Sequence, residues 1–220
     1  MDNALVIGAS GGIGSAMAAA LAARGVAVTA LSRSGDGLDV TDEASVEAAL
    51  GALEGPYDFV FVATGALELG TGPEKALKHI RAGALLDQYA LNAVGPILVL
   101  KHALRLMPRD RRAVFAALSA RVGSIGDNGF GGWYGYRASK AGLNQLLHTA
   151  AIEVGRTHRQ AIVAALHPGT VRTPLTADYR GNHPAVAPEE AARNLLSVID
   201  GLTPAETGGF FDWKGEAVPW

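Results

Sequence analysis

Tyr136 and Lys140 stand four residues apart in Tyr136-Arg-Ala-Ser-Lys140, a spacing that puts both side chains on one face of a helix. A free phenol titrates near ~10, and an ammonium held beside it favours the phenolate, so the pair can give or take a proton near neutral pH. None of the other Tyr residues is followed by Lys at that spacing. A second group opens the chain. Gly8-Ala9-Ser10-Gly11-Gly12-Ile13-Gly14 follows the apolar run Leu5-Val6-Ile7 and precedes an Ala-rich helical pattern. A strand that turns through glycine into a helix N-terminus offers free N–H groups and a positive dipole end to a pyrophosphate. A third group is Ser32-Arg33, at the end of the next apolar run. An acid at that position would hold a ribose 2′-hydroxyl; Ser32 carries no charge and Arg33 can pair with a 2′-phosphate, which favours NADP(H) over NAD(H). The alternative is a solvated Arg33 with Asp36 or Asp39 on the ribose.

These groups need strands and helices to present them. Leu5–Ile7, Val26–Leu31, Asp58–Val62, Ala113–Leu118 and Ala161–Leu166 are continuous apolar runs, as a parallel sheet covered on both faces requires. Short strands ending near Asp39-Val40 and at Gly209–Asp212 bring the expected count to about seven. Helical patterns fall at about 12–24, 42–53, 73–81, 83–107, 134–157 and 188–200. Thr41 with Glu43, and Pro188 with Glu189 and Glu190, mark helix starts. No linker or repeat divides the chain, so residues 1–220 read as one α/β domain, a doubly wound parallel sheet of Rossmann type.

Composition narrows the partners. The 220 residues are 49% hydrophobic and 18% charged, which suits a packed core and not a disordered chain. Nineteen basic against 21 acidic residues leave a net charge of −2, unlike a nucleic-acid binder or a polybasic membrane partner. With no Cys there is no disulfide framework, thiolate nucleophile or Cys-ligated zinc, and no metal enters the expected chemistry. No run of about 18 uninterrupted apolar residues is present to span a membrane. The apolar start meets Gly8 too early for a signal peptide, so a cytoplasmic location is expected.

Together these motifs resemble those of the classical short-chain dehydrogenases/reductases, and the likeness runs through essentially the whole chain. Gly8-x3-Gly12-x-Gly14 is similar to that family's cofactor turn, Asp39-Val40 to its adenine contact, and Tyr136-x3-Lys140 to its catalytic pair. Asn92 falls where the family keeps the Asn of a catalytic tetrad. Pro168-Gly169-Thr-Val171-Arg-Thr173 resembles the loop that binds the nicotinamide carboxamide. Ser119-Ala-Arg-Val-Gly-Ser124 and Gly131-Gly-Trp-Tyr-Gly-Tyr136 bring the chain nearest to the C-factor-like and small carbonyl reductase type. The resemblance implies hydride transfer between NADP(H) and a carbonyl or alcohol substrate, with Tyr136 as proton donor and Lys140 on the nicotinamide ribose. A C-factor-like signalling or scaffold role is the alternative.

Two departures stand out. Where the family has Asn-Asn-Ala-Gly, this chain has Val62-Ala63-Thr64-Gly65; only Gly65 survives, so backbone support normally supplied by the Asn side chain must come from elsewhere, and Ala63 and Gly65 are the expected cofactor contacts there. At the family's catalytic serine position stands Ala120. Ser119 and Ser124 flank it, and alternation along a strand sends Ser119 away from Ala120, which puts Ser124 ahead as the replacement. Residues 174–184, with Tyr179, Arg180 and His183, are expected as a lid. Trp133, Tyr134 and Phe130 suit either a pocket for an apolar carbonyl compound or an interface, and His167 reads as structural. Ile97, Leu98, Leu100, Leu143, Leu146 and Leu147 suggest helices that pair across a two-fold axis in a homodimer or homotetramer, with the segment Trp213 to Trp220 adding a second contact.

Overall fold

Strand β4, Ala113–Leu118, is buried at every position, and its side chains alternate between two separate cores. Ala113, Phe115 and Ala117 join one cluster and Val114, Ala116 and Leu118 the other, which is what helices on both faces of a sheet demand. The computed structural model describes residues 1–70, 72–179 and 184–220. In it β1 (Asn3–Ile7), β2 (Ala27–Leu31), β3 (Phe59–Val62), β4, β5 (Ala161–His167) and β6 (Phe210–Asp212) form one parallel sheet in the order β2-β1-β3-β4-β5-β6. Strand order reverses between β1 and β3, so a crevice opens at their carboxyl ends, where such sheets bind ligands.

The sheet has six strands, not seven. Asp39 and Val40 do not join it, because local turn chemistry takes them. The Asp39 carboxylate accepts from the Thr41 N–H at 2.9 Å and from its hydroxyl at 2.7 Å, and those bonds hold the carboxyl below its ordinary pKa. Val40 then packs against Gly95.

Helix α1 (Gly12–Ala23) packs with α7 (Pro188–Gly201) on one face of the sheet. A four-residue turn, α2 (Arg33–Asp36), and α3 (Glu43–Gly51) follow β2, with Asp42 rather than Thr41 capping α3 through the Ala44 N–H. The helix expected at 73–81 is reduced to a single turn at Leu77–His79, because Glu74 is drawn into contacts with the start of another helix.

Residues Ala82–Leu106 are helical throughout: α4 (Ala82–Tyr89), a wider π-helical turn at Ala90–Val94, α5 (Gly95–Ala103) and a tight last turn. By length and composition this run could cross a membrane, with a mean hydropathy of 1.3. Gln88, Asn92, Lys101 and His102 interrupt its apolar sequence. Its apolar side is used inside the fold: Val99, Leu100, Ala103 and Leu106 are core residues. Long α6 (Tyr134–Val154) packs beside it. Leu100, Leu143 and Leu147 are therefore interior and unavailable to a partner, and Ile97, Leu98 and Leu146 lie half-buried against the same core. The large apolar residues exposed on these helices are Leu86, Tyr89 and Ile152.

Candidate active site

A cavity of about 380 Å³ lies over the carboxyl ends of β1, β3, β4 and β5. Ser10, Gly11, Gly12 and Ile13 form one wall at the start of α1. That helix has neither a side-chain cap nor an acid in its first turn, so its N-terminal amides stay free for an anion. Gly14 belongs to the turn without touching the cavity: a Cβ there would stand 2.2 Å from the Gly8 carbonyl oxygen, which only glycine avoids. Gly8 sits at φ 85°, and its N–H donates to the Leu31 carbonyl at 2.8 Å, tying the turn to β2.

Tyr136 and Lys140 line the same cavity from the first turns of α6. The ammonium lies 5.8 Å from the centre of the Tyr136 ring and donates to the Leu118 carbonyl at the end of β4, at 2.8 Å. Burial moves the two groups in opposite directions: it pushes the phenol up to about 12 and the lysine down to about 7. The expectation of a phenol lowered by its neighbouring cation is thereby corrected. Desolvation dominates, and the phenol keeps its proton through neutral pH.

Asn92 is fully buried within the π-helical turn. Its side chain accepts from the Ala66 N–H at 3.0 Å, donates to the Ala66 carbonyl at 2.9 Å and donates to Gln88 Oε1 at 2.5 Å. This clamps the chain leaving β3. A Cβ on Gly65 would lie 2.8 Å from Asn92 Oδ1 and 3.3 Å from Lys140 Nζ, so Asn92, Gly65 and Lys140 are packed together. The support that the Asn-Asn-Ala-Gly pattern would have given this loop comes instead from Asn92.

Neither serine presents its hydroxyl to the cavity. Ser119 borders it, but its hydroxyl donates to Asn144 Oδ1 at 2.6 Å. Ser124 lies outside it, buried, with its oxygen accepting from the Asp127 N–H at 3.1 Å. The preference for Ser124 is overturned: the strand ends at Leu118, a tight turn at Arg121–Gly123 follows, and Ser124 emerges on the far side. Ala120 itself lines the cavity.

Ala63, Gly65, Pro168, Gly169, Val171 and Thr173 are all in the cavity wall, as their motifs suggested. Ser32, Arg33, Asp39 and Val40 are not; they belong to the neighbouring end of β2. There the Ser32 hydroxyl accepts from the Gly35 N–H, and Asp36 accepts from the Ser32 N–H at 2.8 Å. Arg33 is exposed and in no ion pair among the described residues.

Thr64, His167, Pro174, Leu175 and Thr176 complete the cavity wall. Of these, the lid position of residues 174–176 and the loop holding Thr64 were foreshadowed by sequence, while His167 was read as structural. Burial pushes the His167 ring down to about 4 against the opposing pull of Asp212, so it is neutral. Tyr179 lies outside the wall: its hydroxyl donates to Glu68 at 2.5 Å and its ring meets the edge of Trp133 at 5.8 Å. Trp133 in turn meets Tyr136 at 6.4 Å, whereas Phe130 is 98% exposed. Arg180 and His183 lie outside the described residues.

The cavity suits a nicotinamide dinucleotide. A free helix N-terminus would meet the phosphates, and the buried atoms Thr64 Oγ1 and His167 Nδ1, both on residues of the wall, have no partner among the described residues. A parallel sheet with this cradle beside a Tyr–Lys pair defines a dinucleotide-dependent oxidoreductase. Residues 8–208 match the family described as enoyl-(acyl carrier protein) reductase. The chain belongs to the short-chain dehydrogenase/reductase family, close to its C-factor and carbonyl reductase type. It is 33% identical over 235 aligned positions, covering 100% of both chains, to 1-hydroxy-2-glutathionyl-2-methyl-3-butene dehydrogenase of Rhodococcus sp. (strain AD45). It is 32% identical over 145 positions, 66% of this chain and 84% of the relative, to the C-signal protein of Myxococcus xanthus. A short-chain dehydrogenase/reductase from Burkholderia multivorans, solved with bound NADP, superposes with a TM-score of 0.81 at 25% identity, covering 100% of this chain and 99% of the other.

Proposed function

We propose that this oxidoreductase reduces a carbonyl compound with NADPH, or runs the reverse alcohol oxidation, and that Tyr136 delivers the proton. The observation that carries this reading is the joint placement of the Tyr136 phenol, the Lys140 ammonium and the free N-terminus of α1 around one cavity. The bound dinucleotide supplies the hydride. The free amides of Ser10, Gly12 and Ile13 would take its pyrophosphate, and Lys140 would hold the ribose next to the nicotinamide. Tyr136 keeps its proton at neutral pH and gives it to the substrate oxygen as negative charge develops there. Among the described residues of the cavity wall Lys140 alone can be a cation, and in its charged form it offsets the charge left on the phenol. With Ala120 in place of a hydroxyl, the substrate oxygen is oriented chiefly by Tyr136.

NADPH is favoured because Arg33 is exposed, and in no ion pair among the described residues, beside a neutral Ser32. The Burkholderia relative's bound NADP supports the same choice. We also propose a two-fold dimer through the exposed Leu86, Tyr89 and Ile152. The similarity to C-signal, together with the missing hydroxyl at Ala120, favours a second reading in which the cofactor binds but little chemistry follows. Steady-state NADPH oxidation with a panel of aldehydes, ketones and quinones separates the two. Turnover with any of them supports reduction, and tight NADPH binding with no turnover supports the second reading.

A further inference from the structure

Helix α6 carries the Tyr136–Lys140 pair, yet it lacks a cap of its own. Its N-cap residue is Trp133, which makes no side-chain capping bond and sits in the left-handed region at φ 52°. It is the one non-glycine residue with positive φ among the described residues. Such a conformation persists only where the surroundings hold it.

What holds it is Glu74, from the loop after β3. The main-chain carbonyl of Glu74 accepts from the Trp133 N–H at 2.6 Å. Its carboxylate accepts from the Gly135 N–H at 3.1 Å. Gly135 is one residue before Tyr136, and it is seated so closely that a Cβ there would lie 3.1 Å from Glu74 Oε1 and 3.3 Å from both Gln88 Cγ and Leu85 Cδ2. The Glu74 side chain is buried, with the residue only 8% exposed. A carboxylate placed there accepts from an amide at the positive end of a helix, where its charge is favoured, and ties down the first turn.

We propose that Glu74 is a positioning residue for the reaction: from the loop after β3 it supplies the cap that α6 lacks and thereby sets where Tyr136 stands over the cavity. The proposal rests on the reading of Tyr136 as proton donor. Glu74 is not in the cavity wall, so it acts on proton delivery and not on cofactor binding. A small displacement of a proton donor costs far more in turnover than in ground-state binding.

The test compares Glu74→Ala, Glu74→Gln and wild type as full-length chains. Three quantities are read: NADPH affinity by fluorescence titration, kcat and KM with a carbonyl compound that the wild type reduces, and amide hydrogen exchange at Gly135 and Tyr136. Glu74→Ala should lower kcat by about 10- to 100-fold with NADPH affinity and KM changed less than about threefold, and should speed exchange at both amides. Glu74→Gln keeps an oxygen acceptor and should recover most of the lost turnover and protection. Unchanged kcat in Glu74→Ala would overturn the proposal, as would equal loss of kcat and cofactor affinity in both variants. If the wild type reduces nothing in the panel, the reductase reading fails by itself, and exchange at the two amides still decides whether Glu74 anchors the turn that carries Tyr136: unchanged exchange in Glu74→Ala overturns it.

Discussion

At the scale of single residues, burial decides the state of the reacting pair. Tyr136 and Lys140 are both desolvated, so the phenol holds its proton more tightly and the ammonium less tightly than in water. The lysine has a stability consequence with a definite sign. Its folded pKa of about 7 lies below its ordinary 10.5, so between those values the unfolded chain binds a proton that the folded chain does not. Stability of the cofactor-free protein should therefore rise with pH from about 7 towards 10. Tyr136 acts oppositely at higher pH, where its raised phenol gives up stability between about 10 and 12. Thermal unfolding between pH 6 and 9.5 should show the rise in wild type and a weaker one in Lys140→Met; parallel curves would contradict the assignment. The serines give a second prediction. Ser124→Ala should leave turnover within about twofold and cost about 1 kcal/mol of stability, because its buried oxygen caps the Asp127 N–H. A tenfold fall in turnover would mean that the hydroxyl reaches the substrate after all. The Tyr–Lys pair was legible because helical spacing alone puts two side chains together. The serine was not, because the direction of a hydroxyl past a strand end depends on the following turn and on Asn144, a partner 25 residues away in sequence.

At the scale of elements, continuous apolar runs announced β1 and β3 to β5 within a residue or two, since both faces of the sheet are covered. Two elements were misread for one physical reason: side-chain bonds to the backbone outweighed intrinsic pattern. Asp39 bends the chain through Thr41 in place of a strand, and Glu74 turns towards α6 in place of a helix. The π-helical turn at Ala90–Val94 left no sequence signal of its own, yet it is where Asn92 leaves the regular ladder to grip Ala66. Gly65 makes that grip testable. It has φ 152° and its missing Cβ would crowd Asn92 and Lys140. Gly65→Ala should destabilise the protein by about 1–3 kcal/mol and weaken cofactor binding, read by denaturant unfolding and NADPH titration. A variant as stable as wild type, with full affinity, would show that the clamp yields easily.

Across the whole molecule, the switch in strand order between β1 and β3 brings the glycine turn before the first helix and the Tyr136–Lys140 pair of the sixth to one cavity. The cradle and its family were readable from glycine spacing; which leucines belong to the core was not, because core and surface leucines look alike in a helical pattern until the sheet claims one side. Light scattering at micromolar concentration should give a dimer, and Leu86→Lys with Ile152→Lys should give a monomer. At the far end of β2, NADPH should bind more tightly than NADH, and Ser32→Asp should reverse the order by repelling the 2′-phosphate; tighter NADH binding by the wild type would contradict the role given to Arg33. The account as a whole turns on the phenol of Tyr136. Carbonyl reduction and NADPH affinity should be measured side by side in wild type and Tyr136→Phe. The account predicts that the variant binds NADPH within about threefold of wild type and loses at least about 100-fold in kcat, roughly 2.7 kcal/mol of barrier. Full reductase activity in Tyr136→Phe would contradict it.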